Sequence, residues 1–199
     1  MQYWHDMLTE ESWELLKKIK GEFSFVLIGG WAVYLYARKN KSRDIDIVVD
    51  FKTIEFLNKN HDLRKNNKMK KYEIKEGNVD IDIYVPYYSD IGLPLEKIGT
   101  SKIEGFLVAK IEELLILKQL AELARSQSPK GEKDRVDIMS LLVNCDADFS
   151  RYKKLLGEFK LHNLRNELLS AVRNFREYKY LNIAQRELKL KKKKLLALI

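Results

Sequence analysis

One cysteine and three histidines are all the thiol and imidazole metal ligands that 199 residues offer. The lone Cys145 excludes an internal disulfide and any multi-cysteine zinc site, and His5, His61 and His162 lie scattered without ligand spacing, so no structural zinc is expected. His5 and His162 read as ordinary surface residues. Long apolar runs are missing as well: no stretch approaches the roughly 20 apolar residues that a membrane span needs. The opening MQYWHDMLTEESW lacks the basic-then-apolar order of a secretory leader. No segment repeats. Together these absences predict an intracellular, soluble, cytoplasmic chain without a membrane span.

What is present is charge and a sufficient core. With 45% apolar residues the chain can bury a core as one compact domain or as a domain with a helical extension. Its formal charge of +8 suits a polyanionic partner such as RNA or DNA, because clustered Lys and Arg release condensed counterions. The 33% of charged residues equally suits surface ion pairing at high temperature.

Periodicity predicts a helix over residues 9–21, with Thr9 as N-cap, Lys17, Lys18 and Lys20 at its negative end, and Trp13, Leu16 and Ile19 as its buried stripe. FSFVLI, residues 23–28, reads as a buried strand, and Gly29-Gly30 turns it into a helix from Trp31 to about Arg38. After the loop KNKS come a strand RDIDIVV, a helix over 51–60, a Lys- and Asn-rich loop near 64–71, and a hairpin of 71–75 with 78–85 turning at Glu76-Gly77. From about 106 the chain turns helical: VAKIEELLILKQLAELAR, a loop SQSPKGEK, then DRVDIMSLLV, 149–158 and 160 to about 190. The closing KLKLKKKKLLALI reads as an exposed or frayed helix end, or else an anchor for nucleic acid or a partner. The expected architecture is an α/β (α+β) fold: a mixed sheet of four to five strands flanked by helices over 1–108, followed by a helical domain over 109–199.

Within this frame the aspartates stand out. Asp44 and Asp46 share one strand face about 7 Å apart, where they repel unless a cation compensates. The hairpin repeats the pattern: Val79, Ile81, Ile83 and Val85 take one face, Asp80, Asp82 and Tyr84 the other. Should the two strands lie side by side, three or four carboxylates meet, a hard oxygen set suited to Mg²⁺ or Mn²⁺ and to two-metal phosphoryl or nucleotidyl transfer. Gly29 and Gly30 at a helix start leave backbone N–H groups open to phosphate. Lys118 and Lys133 either reach a triphosphate or form a solvated face, and Asp134 and Asp137 either orient such a lysine or cap a helix starting near Glu132. Trp31 and Tyr84 are candidates to stack a base, although Trp31 fits the core better.

GGWAVYLYARKNKSRDIDIVV resembles the signature of the DNA polymerase beta-type nucleotidyltransferase superfamily. It is closest in pattern to the bacterial and archaeal branch of toxin-type (abortive-infection) and antibiotic nucleotidyltransferases. KGEKDRVDIMSLL is similar to the Lys-Asp-x-x-Asp segment of the toxin-type branch, here Lys133, Asp134 and Asp137, so the resemblance spans roughly residues 23–145. It implies that Gly29 and Gly30 bind the phosphates of an NTP, that Asp44 and Asp46 hold the metals, and that Asp80 or Asp82 completes the site and acts as base toward the acceptor hydroxyl. Ser42 falls where the branch places a small hydroxyl residue for phosphate. The usual Arg four before the first aspartate is replaced by Asn40, with Arg38, Lys39, Lys41 and Arg43 around it. The expected activity is metal-dependent transfer of NMP to an acceptor, RNA or a tRNA 3′ end or a protein side chain, or else a small molecule. The other readings are a non-catalytic nucleotide-binding module that serves as a nucleotide sensor or toxin partner, and a structural RNA-binding protein; a cognate antitoxin is a candidate partner.

Overall fold

The structure, a computed structural model, describes residues 6–199, so His5 lies outside the described residues. Helix α1 (Asp6–Lys20) leads into β1 (Val26–Ile28), α2 (Gly29–Ala37), β2 (Ile45–Val48) and α3 (Phe51–Asn60). Strands β3 (Arg64–Asn66), β4 (Lys71–Glu76) and β5 (Val79–Tyr84) follow, then β6 (Thr100–Ile103) and β7 (Phe106–Ala109). Helices α4 (Ile111–Ala124), α5 (Pro129–Asn144), α6 (Phe149–Glu158), α7 (Asn163–Asn174) and α8 (Gln185–Leu198) complete the chain.

The fold is α/β. Seven strands form one mixed sheet in the order β3-β4-β5-β2-β1-β7-β6, with β1/β7 and β2/β5 parallel and the other pairs antiparallel. This exceeds the four to five strands expected, for two physical reasons. Strand β3 carries Arg, Lys and Asn and has no apolar alternation to announce it. The β6–β7 hairpin runs straight into the apolar face of α4, so FLVA merges with the helical pattern. Its turn residues Glu104 and Gly105 both take positive φ, 50° and 76°, as a two-residue primed turn demands.

Two further expectations are corrected. Thr9 lies inside α1 and is buried, so it is not the N-cap; Leu16 and Ile19 form the buried stripe as read. The basic tail is not a frayed end. Helix α8 reaches Leu198 with Leu188, Leu195 and Ile199 buried, and Lys191 and Lys192 donate to the carbonyls of Val143 at 2.8 Å and of Arg173 at 2.8 Å. Every third or fourth residue of the run is thus an anchor, and the lysine stems lie along the protein with their ammonium groups on helix-end carbonyls.

The central strands bury Leu27, Ile45, Ile47, Ile81, Ile83 and Val108. Helix α2 packs on β1, β2, α4 and α5, and residues of α4 and α5 share a pocket with the aspartates of the central strands. No helix among the described residues is long and apolar enough to cross a membrane.

Candidate active site

Strands β2 and β5 run side by side, parallel, in a register that sets Asp46 opposite Asp82. Alternation then buries Ile45, Ile47, Ile81 and Ile83 on one face and leaves the aspartates on the other. Asp44, Asp46 and Asp82 line one pocket of about 670 Å³ together with Gly29, Gly30 and Ser42. Asp80, farther along the same face, lines instead an adjoining cavity of about 270 Å³ that Asp44 and Asp82 also line.

The glycine pair is explained by close approach. Gly29 has φ +67°, and a Cβ there would fall inside the Asp46 carboxylate; a Cβ on Gly30 would collide with the Ser42 hydroxyl and lie 2.9 Å from Lys133 Nζ. Bare backbone at the start of α2 therefore lets an aspartate, a serine and a lysine crowd one helix N-terminus.

Asp46 is half-buried, and no ion pair reaches it among the described residues. Loss of solvation, then the charge of Asp82, pushes it up to about 6; Lys118 pulls it down, Asp44 pushes it further up and Lys133 pulls it down. Burial also raises Asp82, with Lys71 pulling it back from 2.6 Å. Asp44 meets Lys130 at 3.4 Å and Arg43 at 3.7 Å. Burial, followed by Asp46 and Asp82, drives the Tyr84 phenol far above its usual range.

Three carboxylates with no imidazole or thiol nearby, one of them half-buried and without a direct ion pair among the described residues, fit a hard divalent cation. Asp82, however, is drawn aside by Lys71, and among the described residues no three acidic, histidine or cysteine side chains surround one point.

The facing wall comes from α4 and α5. Lys118 sits 2.9 Å from Asp134 and 2.7 Å from Asp137, and Lys133 sits 2.9 Å from Asp137. Arg125 closes the network with two bonds to Asp134 at 2.6 and 2.8 Å. Burial by itself lowers Lys118, yet Asp137 and then Asp134 outweigh it and hold the ammonium above the ordinary lysine range. Burial likewise opposes ionisation of Asp137, but Lys118 and then Lys133 keep its carboxyl below the usual range. Asp134 and Asp137 therefore hold lysines and cap nothing. The cap is Ser128, which accepts from the Gly131 N–H at 3.1 Å with Pro129 at the first position, so α5 starts inside the segment expected to be a loop.

Ser42 is buried on the pocket wall, whereas Arg43 lies outside the pocket. Trp31 is core, its indole donating to Ser12 at 2.8 Å. Tyr84 lines the pocket beside Leu117, Leu120 and Ala121. Asn40 is buried with its amide 3.5 Å from the Tyr180 carbonyl. Sequence reasoning missed Lys71, Arg125 and Lys130, all on the pocket wall. Lys130 was legible only through the Ser128-Pro129 cap, which makes it the helical neighbour of Lys133 three residues on. Nothing local marks Lys71 or Arg125.

No protein-family model and no curated protein matches the chain. Among solved structures it is similar to the Megavirus polyadenylate synthase at 18% identity and TM-score 0.47, covering 68% of this chain but only 31% of that one. It is similar to an antigenic nucleotidyltransferase-like protein from Paracoccidioides brasiliensis at 20% identity and TM-score 0.46, over 83% of this chain and 92% of that one. A third likeness is to JHP933 from Helicobacter pylori, with 17% identity, TM-score 0.48, and 97% and 93% covered. At these identities and scores the likenesses assign neither family nor activity.

Proposed function

We propose that the chain is a metal-dependent nucleotidyltransferase that moves a nucleoside monophosphate from an NTP to an acceptor hydroxyl. The observation that carries this reading is the register of Asp46 with Asp82 beside Asp44, on a pocket whose other walls are the open N-terminus of α2 and the ion-paired lysines of α4 and α5. Asp44, Asp46 and Asp82 would hold Mg²⁺ or Mn²⁺, which supplies charge neutralisation for the triphosphate and a more acidic acceptor hydroxyl. Gly29, Gly30 and Ser42 receive phosphate oxygens on backbone N–H groups and a hydroxyl, while Lys118 and Lys133 face the charge that develops on the leaving pyrophosphate. Tyr84 with Leu117 and Leu120 offers the base an apolar wall. Asp82, rather than Asp80, is the third carboxylate, because Asp80 does not reach this pocket. RNA or a protein is the favoured acceptor on the chain's basic balance.

One observation favours a second reading, a nucleotide-binding module without turnover: Lys71 already occupies Asp82 at 2.6 Å. The deciding experiment incubates the protein with each α-³²P-labelled NTP, Mg²⁺ or Mn²⁺, total RNA and protein extract, beside an Asp44→Asn/Asp46→Asn variant. Label in RNA or protein that depends on both aspartates supports transfer. Metal-dependent NTP binding without transfer supports the module, and absence of both overturns the two readings together.

A further inference from the structure

Helix α8 has two sides of opposite character. Leu188, Leu195 and Ile199 are buried against the protein, while Arg186, Lys189, Leu190, Lys193, Lys194 and Ala197 are exposed. At 3.6 residues per turn these six share one arc of about 140°, directly opposite the buried stripe. Arg186, Lys189, Lys193 and Lys194 form no ion pair or hydrogen bond among the described residues, and the helix's one acid, Glu187, is taken by Lys191 at 3.7 Å. The outer face therefore carries four cations with nothing to neutralise them.

The neighbouring helices add the same sign. Lys153 of α6 and Arg165 of α7 donate to the carbonyls of Leu198 at 3.2 Å and of Ile199 at 2.9 Å. Arg176, just beyond α7, donates to the Arg173 and Phe175 carbonyls that also receive Lys192. Loss of solvation, then the charge of Arg176, holds the Lys192 ammonium below the usual lysine range, with Glu177 opposing. Positive charge is crowded here, and an anion relieves it.

Shape and apolar content select the anion. With its buried and exposed sides opposed, α8 stands as a ridge, and none of its residues lines either cavity. A peptide helix or a single nucleic acid strand is held in a groove, whereas a ridge suits a plane. Leu190, 57% exposed, lies one turn from Arg186 on one side and from Lys193 and Lys194 on the other, and Leu198 is 58% exposed. A phosphate backbone gains nothing from leucine. The headgroup layer of a bilayer takes in leucine while lysine stems keep their ammonium groups level with the lipid phosphates.

We propose that the outer face of α8 docks the protein on an anionic lipid surface, with Arg186, Lys189, Lys193 and Lys194 on headgroup phosphates and Leu190 and Leu198 in the interface. This property goes beyond nucleotidyl transfer and does not depend on it.

The test is co-sedimentation of the full chain, over a salt series, with vesicles of phosphatidylcholine alone and of phosphatidylcholine and phosphatidylglycerol in equal parts. Binding to a double-stranded RNA is followed in parallel by fluorescence anisotropy. Lys189→Ala/Lys193→Ala and Leu190→Gln alter exposed positions only, so both variants keep the melting temperature of the unaltered protein. The mixed vesicles are expected to carry the protein down, those of phosphatidylcholine alone are not, and salt weakens the binding. Losing two cations weakens it about 30-fold, each lysine near an anionic surface being worth about fivefold. Leu190→Gln weakens vesicle binding severalfold and leaves RNA binding unchanged. No sedimentation with the mixed vesicles overturns the proposal, as does equal sedimentation of Lys189→Ala/Lys193→Ala. Tighter binding to RNA than to the mixed vesicles, with Leu190→Gln affecting neither, overturns it in favour of a nucleic acid surface.

Discussion

Asp46 stands between two buried isoleucines, and burial followed by the charge of Asp82 pushes it up to about 6. The folded chain thus binds this proton more tightly than the unfolded chain, whose carboxyl titrates near ~4. Stability therefore falls as pH rises from about 4 through about 6, and above that the full cost, on the order of 2–3 kcal/mol, is present. Asp46→Asn is expected to raise the melting temperature at neutral pH by several degrees and to flatten its pH dependence between about 4 and 6, while abolishing Mn²⁺ binding. Calorimetry across that range, with Mn²⁺ titration, checks it; a lower melting temperature at neutral pH counts against it. On the proposed metal site, Gly29→Ala is expected to lose Mn²⁺ binding in the opposite way. The left-handed φ of +67° costs about 1–2 kcal/mol and the new methyl displaces Asp46, so metal affinity and stability fall together. That the two glycines, Asp44 and Asp46 line one pocket with a carboxylate of the second Asp-x-Asp pair was legible from spacing. That Asp82 faces the pocket and Asp80 does not was invisible, since both share a strand face.

Between α4 and α5 the stakes lie in paired charge. Neutralising Asp137 leaves the buried Lys133 without its carboxylate and Lys118 with Asp134 alone, so Asp137→Asn is expected to cost about 3–5 kcal/mol, read as a lowered urea midpoint. Its pH dependence runs against that of Asp46: a depressed carboxyl contributes stability above the unfolded value near ~4 and loses it as pH falls through the folded one. Ser128→Ala removes one cap bond at the start of α5 and is expected to cost about 1 kcal/mol with metal binding retained. A loss as large as that of Asp137→Asn would mean the cap positions the whole ion network. Helices were legible here by period alone, but their ends were not. Ser-Pro followed by Lys-Gly reads as loop chemistry until Ser128 and Pro129 are seen as cap and first turn. The β6–β7 hairpin vanished for a related reason: its second strand has only four residues and reaches α4 across the single residue Lys110, so no turn signal separates the two.

For the molecule as a whole, ligand linkage is the sharpest measure. A nucleotide and metal that bind only the folded chain add about 2.7 kcal/mol at a hundred times Kd, an upward shift of roughly 5–10 °C for a chain of this size. The shift is expected with Mg²⁺·NTP, not with NTP in excess chelator, and not in Asp44→Asn/Asp46→Asn; thermal denaturation decides. The amino-acid sequence alone determined the α/β class, the aspartate-bearing faces of two strands and the bare glycine pair, because alternation and missing side chains are local properties of consecutive residues. Tertiary structure decided the rest. It set β2 beside β5 in the register that opposes Asp46 to Asp82, turned Asp134 and Asp137 into partners for Lys118 and Lys133, and brought Lys71, Arg125 and Lys130 to the pocket. It also docked the basic tail through Leu188, Leu195 and Ile199. These depend on long-range pairing and on buried charge finding its counter-charge, and no window of neighbouring residues carries that information.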